Sequence, residues 1–201
     1  MSYVEKSNEF ILDNSEGTCE PYPSPTCEKR IVILPNDLGV TTLNDLETIE
    51  WDANVIEGYL PHVDVYLENG ETLVFEYAKV NPLSCDVTPY PTGKLNTFGD
   101  NGIIDNESYG WISSGVPGPC GDPIFDANHK SLANWKIQWV TLAVTKVELE
   151  IDNWILTSNS NVENILINGN EVSGVSYTND ITGDAIAIAP GENTIPVSFT
   201  I

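Results

Sequence analysis

The sequence predicts a mainly β protein, an antiparallel β-sandwich with an extended N-terminal arm and a long irregular insertion. Three local patterns carry that expectation: apolar and polar residues alternate over 63–77, they alternate again over 146–152, and an Asn-Gly pair separates two apolar runs at 164–172.

Residues 1–29 hold one short apolar cluster, Phe10, Ile11 and Leu12, followed by prolines at alternate positions (Pro21, Pro23, Pro25) that favour extended polyproline-type backbone. This segment reads as an arm and not as a core element. The run "KRIVILP" (29–35) is continuously apolar up to a proline stop, as expected of a strand buried on both faces. Leu43, Leu46 and Ile49 fall three apart, which predicts a short helix over 43–49.

In "VDVYLENGETLVFEY" (63–77), Val63, Val65 and Leu67 share one face of a strand, and Leu73, Phe75 and Tyr77 share one face of the next. A two-residue Asn69-Gly70 turn would pair Val65 with Val74 and send Leu73 and Phe75 to the wrong face. A three-residue loop, Glu68-Asn69-Gly70 with Gly70 left-handed, pairs Val65 with Leu73 and Val63 with Phe75, and is the expected geometry. Residues 81–134, rich in Pro and Gly and without clean periodicity, read as an irregular segment within a β-rich region 30–134.

A C-terminal β-sandwich unit is expected over 135–201. "KVELEID" (146–152) places Val147, Leu149 and Ile151 on one face and Lys146, Glu148, Glu150 and Asp152 on the other. An Asn168-Gly169 turn pairs Ile165 with Val172. The closing run alternates Ile195, Val197, Phe199 and Ile201 with polar positions, and Pro196 assigns it to an edge. The pattern Gly191-Glu192-Asn193-Thr194-Ile195 and the alternation after it resemble the final strand of immunoglobulin-like and related β-sandwich modules in tailed-phage virion proteins and bacterial surface proteins. The resemblance covers the C-terminal third and implies an immunoglobulin-like or jelly-roll sandwich whose work is binding or assembly.

Composition narrows the partners. Thirty acidic residues against eight basic ones give a net charge of -22, which repels nucleic acid phosphates and anionic lipid, so neither nucleic acid nor membrane is an expected partner. Residues 1–20 carry acids where an export signal would have a basic start and an apolar run, which predicts synthesis in the host cytoplasm. The cysteines Cys19, Cys27, Cys85 and Cys120 lack zinc spacing; Cys19 can pair with Cys27, and Cys85 with Cys120, if the chain reaches an oxidising compartment. Residues 96–108 fail an EF-hand pattern at key ligands and read as an Asx-rich turn. With two histidines 67 positions apart, no nucleophile elbow and no H-E-x-x-H, no catalytic residue, cofactor or metal is expected. Tyr109 and Trp111 stand out as residues for glycan or partner contact.

Together these features point to a structural component of a bacteriophage virion. The expected role is that of a capsid decoration protein or neck/tail accessory that docks onto other virion proteins, such as a major capsid protein, or onto itself. The alternative is a carbohydrate-binding module or part of a host-recognition fibre.

Overall fold

A computed structural model of the chain describes residues 10–13, 29–57, 61–75, 94–95, 103–114, 128–151, 159–172, 176–178 and 186–187. The proline run at 21–25, all four cysteines, the segment 96–102 and the closing strand at 194–201 lie outside the described residues.

Two antiparallel sheets form a β-sandwich. The first contains β1 (Phe10–Asp13), β11 (Asn159–Ile167), β3 (Ile49–Glu57) and β6 (Lys94–Leu95) in that order, with β12 (Asn170–Glu171) on β11 and β7 (Ile103–Ile104) on β3. The second runs β14 (Ile186–Ala187), β13 (Ser176–Thr178), β2 (Lys29–Ile33), β10 (Val144–Ile151), β4 (His62–Leu67), β5 (Thr72–Phe75), β8 (Tyr109–Ile112), β9 (His129–Ser131). We refer to these as the first and second sheets. Period-two alternation sends Leu12, Ile49, Trp51, Val55 and Val162 from the first sheet, and Ile31, Val63, Val65, Phe75, Val147 and Leu149 from the second, into one shared core. Burial of these side chains supplies the main favourable term for the fold.

The turns follow their chemistry. Val65 pairs with Leu73 and Val63 with Phe75, and Gly70 has φ +85°, as the three-residue loop requires. Asn168 (φ 51°) and Gly169 (φ 73°) form the two-residue turn with positive φ at both positions, and the Val172 amide donates to the Ile165 carbonyl at 3.1 Å. Asn168 does more than turn the chain. Its Oδ1 accepts from the amides of Glu47 (2.7 Å) and Thr48 (3.0 Å), and its Nδ2 donates to the Asp45 carbonyl (2.7 Å). Asn168→Ala should therefore lose this clamp and force alanine into a left-handed conformation, at a cost of about 2–4 kcal/mol. Urea unfolding of the two proteins measures it, and an unchanged midpoint would show that water replaces the clamp without penalty.

Several sequence expectations are corrected. Phe10, Ile11 and Leu12 are not free arm: they form β1, an edge strand paired with β11, because Leu12 fills the core at zero exposure. The residues of "KRIVI" bury only one face completely, with Arg30 and Val32 half-buried on the other. Helix does not form over 43–49. A 3-10 turn, Leu43–Asp45, is followed by extended chain, because Ile49 pairs with Ile104 and Ile167 while Leu43 and Leu46 reach the core from the loop.

Trp135 begins no strand: it sits in helix α2 (Leu132–Gln138), which follows the one-turn helix α1 (Pro35–Leu38) in chain order. The Ser131 side chain accepts from the Asn134 amide at the start of α2, a standard helix cap. Regular β structure resumes at Val144, and β10 and β11 do not build a unit of their own. They are inserted between β2 and β4, and between β1 and β3, because only those slots offer their apolar faces a common core. The stretch 81–134 also contributes strands to both sheets. An Asx turn, in which Asp105 Oδ1 accepts from the amides of Glu107 (2.8 Å) and Ser108 (3.1 Å), carries the chain from β7 in the first sheet to β8 in the second.

In the 3-10 turn, Asp45 Oδ2 accepts from the Thr42 amide and the Thr42 hydroxyl, each at 2.9 Å. These bonds, the backbone one first, hold the Asp45 carboxyl below its ordinary value of 3.8. A depressed folded-state value means that the contribution to stability is present above pH ~3.8 and fades as pH falls through the folded-state value. An NMR carboxyl titration should place the Asp45 midpoint below 3.8, and Thr42→Val should return it toward that value.

Candidate functional site

Each sheet has one face turned away from the shared core, and the two are built differently. On the first sheet that face carries Ile11 and Asp13 from β1, Asn161, Glu163 and Leu166 from β11, and Glu50, Asp52, Asn54 and Ile56 from β3. Neither Lys nor Arg occurs in these three strands. Asp52 lies directly opposite Glu163 in the ladder, a like-charge pairing that costs stability unless something positive screens it. The Asn164 amide group donates to Asp52 at 2.7 Å, from a bulge where Asn164 adopts φ 53°. Ile11 and Ile56, 49% and 46% exposed, give this acidic face apolar contact points.

The second sheet's outward face is charged, yet much of it is dry. In register across its centre, Arg30 of β2 faces Glu150 of β10, which faces His62 of β4. One rung along, Val32 faces Glu148, which faces Asp64. Glu148 is 1% exposed, and His62, Asp64 and Glu150 are also buried. Burying carboxylates is costly unless they are paired, and the neighbours supply partners. His62 Nε2 lies 3.0 Å from Glu150 Oε1 and 3.7 Å from Asp64 Oδ1. Arg30 places Nη1 3.6 Å from Glu148 Oε2 and Nε 3.9 Å from Glu150 Oε2. Lys146 Nζ donates to Glu148 Oε1 at 2.7 Å while lying 3.8 Å from the centre of the Tyr66 ring.

The electrostatics follow from these contacts. Burial raises the affinity of Glu150 for a proton, but the hydrogen bond and charge of His62, with Arg30 and Lys146 behind them, outweigh it and hold the carboxyl below its ordinary value. Burial first, and the hydrogen bond to Glu148 second, push the Tyr66 phenol well above the usual range. Glu150 is thus kept ionised, and Tyr66 neutral.

Tyr109 and Trp111 occupy the far end of the same face. Trp111 pairs with Val74 and with His129, so one rung runs from His129 through Trp111, Val74, Asp64 and Glu148 to Val32. Both aromatics are half-buried, and the Tyr109 ring lies 5.3 Å from that of His129 at 52°. The two residues singled out from the sequence therefore share a face, but the structure does not bring them to the polar cluster, from which β5 separates them. Cys19, Cys27, Cys85 and Cys120 lie outside the described residues.

Alternation puts Asp64, Glu148 and Glu150 on the polar sides of their strands, and His62 enters the sequence reading only as one of two histidines 67 positions apart. A signal was present in "HVDVY" and "KVELE", where ionisable groups occupy successive outward positions. What the sequence did not carry is the adjacency of β4 and β10, whose facing residues His62 and Glu150 are 88 positions apart. No family model, curated protein or solved structure matches the chain.

Proposed function

We propose that this chain is a non-enzymatic structural component of a bacteriophage virion, a capsid decoration protein or neck/tail accessory that acts by docking onto other virion proteins. The observation that carries the reading is the outward face of the first sheet: Asp13, Glu50, Asp52 and Glu163 share it with exposed Ile11 and Ile56, and β1, β3 and β11 contain no Lys or Arg. A face of one sign with like charges opposed across the ladder favours a partner surface of the other sign. The partner is then a basic, partly apolar face of a lattice protein such as a major capsid protein. The buried carboxylates of the second sheet are engaged with Arg30, Lys146 and His62, which suits a scaffold better than a proton-transfer site.

The test is the native mass of the full-length chain, alone and as isolated from its source. Recovery in a large particle, released by Ile56→Glu or by Asp52→Lys with Glu163→Lys, is the expected result. A monomer that never co-purifies with a particle overturns it. One observation favours a second reading, glycan binding: Tyr109 and Trp111 stand two residues apart on one face of β8, both half-buried. Glycan binding abolished by Trp111→Ala would establish that reading instead.

A further inference from the structure

We infer that His62, Asp64 and Glu150 form a binding site for a divalent transition-metal cation that takes one imidazole nitrogen and two carboxylate oxygens, such as Zn²⁺ or Mn²⁺. One ligand atom from each residue lies within 4.8 Å of the other two. Ligands at 2.0–2.2 Å from a tetrahedral ion stand roughly 3.3 Å from one another. The separations from His62 Nε2, 3.0 Å to Glu150 Oε1 and 3.7 Å to Asp64 Oδ1, bracket that value, and the two carboxylate oxygens lie within 4.8 Å of each other.

The scaffold is rigid where the ligands sit. His62 and Asp64 are alternate residues of β4, and Glu150 stands in register with His62 on β10; both strands lie inside the second sheet. Arg30 engages the far oxygen of Glu150, Oε2, which leaves Oε1 facing His62. Glu148 brings a further buried carboxylate beside the site. Its Oε2 is buried and makes no hydrogen bond, with Arg30 Nη1 no closer than 3.6 Å, on the rung directly beside Asp64. The imidazole nitrogen selects against Ca²⁺ and Mg²⁺, which prefer all-oxygen shells. The inference does not depend on the virion reading.

The test uses the full chain, stripped with chelator and treated with iodoacetamide so that thiols cannot bind. Calorimetric titration with Zn²⁺, and separately with Mn²⁺, should show one saturable site, and the melting temperature should rise with metal concentration. His62→Gln and Glu150→Gln should each weaken binding by about 100-fold or more, beyond the effect of losing an outer-shell contact. Wild-type protein gives a readout that needs no variant to fold. The chain has two histidines, so ¹⁵N NMR resolves both rings, and Zn²⁺ should shift the His62 nitrogens while leaving those of His129 in place. Absence of saturable binding, undiminished affinity in a folded His62→Gln, or an unmoved His62 ring would each overturn the assignment.

Discussion

Arg30→Met is expected to destabilise the protein by about 3–5 kcal/mol, the range for breaking one side of a buried ionic cluster. Methionine fills the aliphatic volume of the arginine stem, so packing is nearly preserved and charge is what is lost. Arg30 is the cation that serves both buried glutamates, at 3.6 Å from Glu148 Oε2 and 3.9 Å from Glu150 Oε2. After its removal Lys146 still holds Glu148 at 2.7 Å and His62 still lies 3.0 Å from Glu150, so the penalty is the loss of the one charge that both glutamates share. The double variant Arg30→Met, Glu150→Gln should recover part of the loss, because it removes one of the two buried negative charges that Arg30 serves. Urea unfolding of the two single variants and the double, with chelator present throughout, completes the cycle. A loss below about 1 kcal/mol for Arg30→Met would mean that water already reaches these carboxylates and that the cluster behaves as a surface salt bridge.

Trp135→Ala should cost a similar amount, about 3–5 kcal/mol, through a different mechanism. Trp135 is 1% exposed and joins helix α2 to the second sheet. Its ring stacks on Trp139 with centroids 4.7 Å apart and an interplanar angle of 19°, Lys130 Nζ lies 4.7 Å above it, and Nε1 donates to the Gly110 carbonyl at 2.8 Å. Gly110 is itself packed against the core: a Cβ there would meet the buried Phe75 ring at 2.8 Å. Alanine at 135 therefore opens a cavity and strands a buried carbonyl at once. Trp135→Phe separates the two effects, keeping most of the ring contact while losing the hydrogen bond, and should cost about 1–3 kcal/mol. If the phenylalanine variant is as unstable as the alanine variant, the hydrogen bond outweighs the packing, contrary to this account.

The legible parts of this chain were the local ones. Alternation over 63–77 fixed which residues of β4 and β5 face inward, and the need to keep Leu73 and Phe75 on that face selected the three-residue loop over the Asn-Gly turn. Asn168-Gly169 announced its turn because few residue pairs tolerate positive φ at both positions. The misreadings came where local pattern and tertiary demand disagree. A period of three at Leu43, Leu46 and Ile49 describes three residues that reach one core, not three residues of one helix turn. Trp135 and Trp139, four apart, fit a strand or a helix equally well by spacing, and the Ser131 cap with the stacked rings settled it as helix.

The β class, the inward faces of the strands and the geometry of the tight turns could be read from the chain alone, because each depends on side chains only a few residues apart. Tertiary structure alone decided that β10 lies between β2 and β4, and that β1 is a strand and not part of an arm. It also decided that His62, Asp64, Glu148 and Glu150 converge out of water on the second sheet. Strand order is selected by how all the apolar faces fill one core together, and the neighbours it creates across scores of residues leave no mark in any short stretch of the chain.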